Sequence, residues 1–230
     1  MKKKIVVCVL CSTERGGWIN PSLFRSLLQL QQDARFEFEF EMVCDVAPVA
    51  TARNTAIVRA RAHGADVCVM LDNDMVLPAN FADILHDAVT TQKDVVSLGA
   101  GVWLEEGPRI IPGDNGPQDG QFRQTGCAGG GVLIISSKVW HVIERGPWFR
   151  WLTNDDEVGS RRLGEDYYFC ELVHAHGMTV WTHQRVAGHL KTSDATHYIL
   201  RLQRTENQLR RMVGGILPIE VACPPVFTEG

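Results

Sequence analysis

The chain has 230 residues, of which 45% are apolar and 22% are charged, which is enough for a globular domain with a substantial core. This composition excludes a disordered tail and a fibrous repeat. The 23 basic and 27 acidic residues give a net charge of −4, so the chain lacks the basic excess that is typical of nucleic-acid-binding proteins.

The first hundred residues alternate between strand-like and helix-like segments. Residues 5–11 are continuously apolar, which predicts a strand covered on both faces. Asn20, followed by a proline, is expected to begin a helix, and residues 36–44 alternate apolar and acidic side chains as a strand does. A second helix is predicted over 51–63, with Gly64 at its end.

The next segments continue this alternation and then give way to a stretch rich in glycine and proline. Residues 67–71 form a short apolar strand that ends in the acidic sequence 72–74, and Asn80 is expected to begin a further helix. After a predicted strand over 95–102, the segment 104–126 is expected to be a long loop, which we interpret as a lid over a bound ligand.

The second half of the chain predicts a similar mixture of elements. Three glycines at 129–131 precede a strand, which suggests close approach of another backbone or of a ligand. The remaining predicted elements are a strand over 132–135, a helix from Ser136 to Arg145, a helix from Gly164 to Gly177, a strand over 178–186 and a helix over 193–212. With no repeat or linker, residues 1–230 are expected to form one α/β domain whose C-terminal helix and tail begin near 193.

The cysteines and the apolar runs indicate in which cellular compartment the protein is expected. Seven cysteines are an odd number and several lie in apolar runs, so we expect a reduced, cytoplasmic protein. The N-terminal lysines and the apolar run after them resemble a signal peptide, but a small-residue cleavage site is missing. No apolar run approaches the roughly 20 residues that a transmembrane helix needs.

The clearest functional signal is a pair of carboxylates, Asp72 and Asp74, directly after a buried strand. In open α/β sheets, ligands bind in the crevice beyond the carboxyl ends of the strands. Carboxylates together with substrate phosphates suit Mg²⁺ or Mn²⁺. The alternative is an acidic turn in which Asp72 caps backbone amides.

Three motifs together resemble those of GT-A glycosyltransferases, in particular family 2 and its relatives. They are Asp72-Asn73-Asp74 after a strand, Gly164-Glu165-Asp166 at a helix start and Gly188-His189 after the last strand, in matching order over roughly residues 4 to 190. The resemblance implies a GT-A fold, a mixed and mostly parallel sheet flanked by helices. It also implies a nucleotide-diphosphate-sugar donor held by a divalent cation, Mn²⁺ or Mg²⁺.

The same resemblance implies roles for the acidic residues and the histidine of these motifs. Asp74 matches the main metal ligand, Asp72 the position nearer the ribose or sugar that also belongs to the metal site, and His189 a third ligand. In similar inverting enzymes, Asp166 matches the base that takes the acceptor proton, and Glu165 is expected to orient the acceptor. The alternative for these last two is a helix's first turn, where the dipole favours acids.

The expected nucleotide site lies over the first strands. Asp45 matches a position that contacts the base in the family, while Thr13 is expected to line the pocket and Asn73 to lie beside the donor. Arg53 has the donor geometry to reach a phosphate or the nucleotide, although a solvated surface charge is equally compatible with the sequence. The first loop, 12–17, departs from the family's usual turn, so the nucleotide is left open.

Two other functions compete with glycosyl transfer. A strand ending in Asp-x-Asp also resembles haloacid-dehalogenase-type phosphatases, in which Asp72 would be the nucleophile, but their motif normally follows the first strand. A non-catalytic domain that binds a nucleotide-sugar or a glycan is the other alternative. The acceptor is also open among a glycan, a small molecule, a protein and a modified nucleic acid, and the oligomeric state is not predicted.

Overall fold

The computed structural model describes residues 2–11, 19–104, 107–110, 116–151 and 164–189, without the side chains of 99–104, 107–110, 186 and 189. These residues belong to one compact unit, Met1–Leu190. Thr13 and the helix predicted over 193–212 lie outside the described residues. A single domain over 1–230 therefore stays a prediction.

Ten strands and five helices are found in this part of the chain. The strands are β1 (Lys3–Cys11), β2 (Phe36–Cys44), β3 (Val67–Asp72), β4 (Met75–Val76), β5 (Val95–Leu104), β6 (Gly107–Ile110), β7 (Gln118–Asp119), β8 (Phe122–Thr125), β9 (Val132–Ser136) and β10 (Val180–His189). The helices are α1 (Pro21–Gln31), α2 (Val49–Ala62), α3 (Phe81–Thr90), α4 (Ser137–Val142) and α5 (Glu165–Ala175).

The strands form one mixed sheet in the order β2-β1-β3-β9-β5-β10-β8-β7, with β4 beside β10 and β6 beside β5. β1 pairs in parallel with β2 and β3, and β5 pairs in parallel with β10. Because β9 is antiparallel to both β3 and β5, all five of these long strands run in the same direction. The fold is therefore α/β with a mostly parallel central sheet, as the sequence predicts.

The helices cover both faces of this sheet. Side chains alternate across a strand, so Val6 and Cys8 of β1 pack on one face with α2, α4 and α5, whereas Ile5 and Val7 pack on the other with α1 and α3. β1 is thus buried on both sides, which explains its unbroken apolar sequence. Within the described residues, no helix is long and apolar enough to cross a membrane.

The segment 104–126 differs from the long loop expected from its composition. It contains β6, β7 and β8, which pair antiparallel with β5, with each other and with β10. Gly120, with φ of 61°, makes the tight turn between β7 and β8. Gly120 therefore marks a turn between two short strands, whereas Gly107 and Pro108 lie within β6 itself. The proposed lid is not tested by the described residues.

Candidate functional site

The acidic turn after β3 is fixed in place by backbone hydrogen bonds. The Asp72 amide donates to the Gly131 carbonyl at 3.0 Å, and the Asn73 amide donates to the Leu10 carbonyl at 3.1 Å. The Asn73 carbonyl accepts from the Asn20 amide at 3.2 Å. The turn is therefore held by the start of β9, the end of β1 and the cap of α1, at the carboxyl edge of the sheet where the sequence predicts a ligand crevice.

The end of β10 lies beside this turn. In the antiparallel pair of β4 and β10, His189 is opposite Met75 and Gly188 is opposite Val76. The backbone of His189 is thus next to the residue that follows Asp74. A Cβ added at Gly188 would lie 3.2 Å from the Val76 Cβ, so this glycine permits close pairing. The His189 side chain is outside the described residues, and its role as a ligand stays a prediction.

Arg53 of α2 lies behind the acidic turn and is only 4% exposed. Its Nη2 is 3.4 Å from both carboxylate oxygens of Asp72, and its Nη1 is 3.5 Å from Glu165 Oε1. The interpretation of Arg53 as a solvated surface charge is therefore wrong. A direct contact with a phosphate or the nucleotide, the other interpretation, stays a prediction, although the guanidinium already lies close to two carboxylates.

Asn54, next to Arg53, ties α2 to the segment before α5. Its Nδ2 donates to the carbonyls of Ala50 and Phe149, both at 2.8 Å, and its Oδ1 accepts from the amides of Trp148 and Phe149 at 2.8 and 3.0 Å. Phe149 in turn stacks on Phe169 of α5, with ring centroids 4.3 Å apart. This asparagine could not be recognised from the sequence alone, because its partners before α5 are about 95 residues away.

The glycines before β9 make room for the site's side chains. A Cβ at Gly130 would lie 1.3 Å from Arg53 Nη1, and a Cβ at Gly131 would lie 3.0 Å from the Met75 sulfur. Gly129, in contrast, has no atom within 4 Å of such a Cβ. The close approach predicted at these glycines is made by the side chains of Arg53 and Met75 and, at Gly131, also by the backbone of Asp72. The approach of a ligand, the other possibility, stays a prediction.

The two acids that begin α5 differ in environment. Glu165 is 6% exposed, and its burial raises the pKa of its carboxyl, which the Arg53 charge opposes. Asp166 is partly exposed, and its Oδ1 accepts from the Tyr167 amide at 2.9 Å. Both lie in the first turn, where the helix dipole favours negative charge. The more accessible carboxylate is therefore Asp166.

Asp45 leaves β2 at the same edge of the sheet. Its amide donates to the Cys11 carbonyl at 3.0 Å, and its φ is 56°. Because β1, β2 and β3 are parallel, Asp45 and Asp72 both lie at carboxyl ends of strands, along one edge of the sheet. Thr13, which follows β1, is outside the described residues. The nucleotide contacts of Asp45, Asn73 and Thr13 stay predictions.

The acidic turn carries carboxylate oxygens, the type of ligand that hard cations prefer. Within the part of the chain that the structure describes, no group of three or more His, Cys, Asp or Glu side chains is placed to hold a metal. Asp72 and Asp74 nevertheless fit a hard cation, because Mg²⁺ is commonly bound through one or two carboxylates together with substrate phosphates. The donor set is incomplete without such a substrate.

Comparisons with known proteins give similarities of fold at low scores. No protein-family model matches the sequence, and no curated protein matches it either. Among solved structures, A197 from STIV is 16% identical, with a TM-score of 0.47 and coverage of 84% of this chain and 87% of that one. An apo UDP-glucose pyrophosphorylase is 10% identical, with a TM-score of 0.48 and coverage of 89% and 82%. A UTP-bound UGPase from Acinetobacter baumannii is 8% identical, with a TM-score of 0.48 and coverage of 94% and 100%.

Proposed function

We propose that the protein is a glycosyltransferase that moves a sugar from a nucleotide-diphosphate-sugar donor to an acceptor hydroxyl, with the donor at the acidic turn. The observation that carries this proposal is the fixed position of Asp72 and Asn73 at the carboxyl edge of β1 and β3, with the backbone of His189 beside Met75. A turn held by three elements fixes the backbone from which its carboxylates project, and a binding site requires such a rigid support.

The negative charges of the donor and of the acidic turn indicate why this function would need a divalent cation. The diphosphate of the donor is anionic and so are Asp72 and Asp74, hence the two repel each other unless a cation lies between them. Mn²⁺ or Mg²⁺ held by Asp74, with Asp72 and His189 as further candidate ligands, would offset the negative charge that builds on the departing diphosphate. With these residues holding it, such a cation would stabilise the transition state more than the ground state.

Asp72 and Asp74 are proposed to contact different parts of the bound donor and cation. Both oxygens of Asp72 lie 3.4 Å from the Arg53 guanidinium, which already supplies positive charge to that carboxylate. We therefore assign the main cation contact to Asp74 and a contact with a ribose or sugar hydroxyl to Asp72. Asn73, Asp45 and Thr13 are proposed to complete the nucleotide side of the site.

Asp166 is proposed as the base for the acceptor if transfer inverts the sugar's configuration. Its carboxylate takes the hydroxyl proton while the acceptor oxygen bonds to the anomeric carbon, and the bond from that carbon to the diphosphate breaks with its electron pair. Glu165 is buried, which favours a role in supporting this turn of α5 over direct contact with the acceptor.

The test is a donor screen read by ³¹P NMR. UDP- and GDP-sugars are incubated with Mn²⁺, and the proposal expects a nucleoside diphosphate as the phosphorus product, by transfer or by slow hydrolysis. Release of phosphate from p-nitrophenyl phosphate would instead indicate the phosphatase alternative. Formation of nucleoside triphosphate from a nucleotide-sugar and pyrophosphate would indicate nucleotidyl transfer. Tight binding with no product would indicate a binding domain.

A further inference from the structure

Three charged side chains from distant parts of the chain meet behind the acidic turn. Arg53 of α2 lies between Asp72, at the end of β3, and Glu165, at the start of α5. The arginine is 4% exposed and Glu165 is 6% exposed. Since each residue belongs to a different element, the guanidinium connects the acidic turn to the helix that carries Asp166.

The contacts of Arg53 are longer than fully formed charged hydrogen bonds. They measure 3.4 Å to Asp72 and 3.5 Å to Glu165, whereas charge-assisted bonds are normally about 2.7–2.9 Å. Its Nε and Nη1 are buried and have no hydrogen-bond partner among the described residues. Hydrogen bonds of a functional site are often long without ligand and tighten when it binds, so the guanidinium has unused capacity at this position.

We propose that Arg53 is a positioning residue that holds the Asp72 carboxylate and the first turn of α5 in a fixed relation to each other. It does so without touching the substrate, because it is covered by both acids and by Phe149, whose ring centroid is 5.8 Å from its Cζ. The proposal rests on the proposed function for the roles of Asp72 and Asp166. Arg53 thereby sets the distance between the donor side and the acceptor side of the site.

Gly130 is the second component of this arrangement. An added Cβ would overlap Arg53 Nη1 at 1.3 Å, so the guanidinium would have to shift. Gly130→Ala therefore displaces Arg53 without changing any charge. Gly129→Ala is the matched control, because nothing lies within 4 Å of its Cβ.

The first test measures binding of UDP with Mn²⁺ by isothermal titration calorimetry. We expect Gly130→Ala and Arg53→Met each to weaken binding by about tenfold or more, because small displacements in a site have large effects. Arg53→Lys is expected to recover only part of the affinity, since an ammonium is a point charge that cannot bridge two carboxylates as the forked guanidinium does. Gly129→Ala is expected to bind as the unmodified protein does.

A purely structural role would give a different pattern. In that case UDP affinity would decrease only in variants that are unfolded at the assay temperature. Variants that are still folded at that temperature would bind UDP normally. Normal affinity in folded Gly130→Ala would overturn the proposal. Full recovery by Arg53→Lys would also overturn it, because a single point charge would then suffice.

The second test needs no ligand and separates this proposal from the proposed function. The guanidinium N–H signals of Arg53 are recorded by NMR in the unmodified protein, Asp72→Asn, Glu165→Gln and Gly130→Ala. We expect these guanidinium protons to exchange slowly with solvent in the unmodified protein and faster in each variant. If the unmodified protein binds neither UDP nor GDP but these signals respond, the proposed function fails while the link between the elements stands. Signals that do not respond would refute the link itself.

Discussion

Replacement of Asn54 by alanine is expected to destabilise the segment that precedes α5. The side chain makes three hydrogen bonds to the backbone of Trp148 and Phe149, of 2.8, 2.8 and 3.0 Å. At roughly 1 kcal/mol of net stability per hydrogen bond, their loss amounts to about 3 kcal/mol. For a domain of this size, 1 kcal/mol shifts the unfolding midpoint by about 2–4 °C, so we expect a decrease of about 6–12 °C.

The consequence for the site follows from the position of Phe149. Its ring stacks on Phe169 of α5 at 4.3 Å and lies 5.8 Å from the Arg53 guanidinium. Asn54→Ala should therefore also weaken binding of UDP with Mn²⁺ at temperatures where the variant is folded. Thermal unfolding followed by circular dichroism gives the midpoint, and calorimetry gives the affinity.

Thr55→Ala is the control for Asn54→Ala. Thr55 is partly exposed and its hydroxyl donates to the Thr51 carbonyl within α2, at 2.9 Å, so its removal should change stability by less than about 0.5 kcal/mol. If Asn54→Ala lowered the midpoint no more than Thr55→Ala does, water would be satisfying the backbone of Trp148 and Phe149. The reasoning would then be refuted.

Two further predictions concern buried groups elsewhere in the sheet. Burial, aided by the Arg185 charge, lowers the pKa of His183, and the His183 Nδ1 accepts from the Arg185 amide. The stability that neutral His183 contributes is present above about pH 6.5 and is lost as the pH falls through the lowered pKa of the folded state. Between pH 7.5 and 5.5, the unmodified protein should lose more unfolding free energy than His183→Gln, and equal losses would contradict this. Cys44 is exposed, whereas Cys68 is buried, and its hydrogen bond with Cys8 together with burial raises the pKa of the Cys68 thiol. Cys44→Ser should thus remove one rapidly reacting thiol in a titration with an aromatic disulfide reagent, whereas Cys68→Ser should remove none.

Local signals in the sequence were sufficient for much of the fold. Asn20 begins α1, and its side chain accepts from the Ser22 amide, as the cap predicted. The apolar run before Asp72 is β3, and the alternating segment is β2. These elements are predictable because periodicity and capping depend on neighbours in the chain.

Features that depend on distant partners were not predictable in this way. β6 and β8 lie in a segment whose glycines and prolines indicated a loop, and they exist because β5 and β10 supply hydrogen-bond partners. The helix expected to reach Arg145 ends at Val142 instead, ahead of Gly146-Pro147, which cannot continue a helix. Composition alone does not show which partner a short strand will find.

The candidate site shows the same division between local and distant information. The acidic turn was placed correctly because Asp72 directly follows an apolar run. The burial of Arg53 was not predictable, since its carboxylate partners lie 19 and 112 residues further along the chain. The need for glycine at position 130 was not predictable for the same reason, because the guanidinium of Arg53 lies close to this residue only in the folded chain.

The central claim is that the carboxylates of the acidic turn hold a divalent cation that binds the donor's diphosphate. Calorimetric titration of UDP with and without Mn²⁺, in the unmodified protein and in Asp74→Asn, tests it most directly. Linked binding typically changes affinity by about 5- to 150-fold, and we expect Mn²⁺ to tighten UDP binding in this range for the unmodified protein and for Asp83→Asn, an exposed control. Asp74→Asn should lose this dependence on Mn²⁺; an equal effect of Mn²⁺ on both proteins would contradict the account.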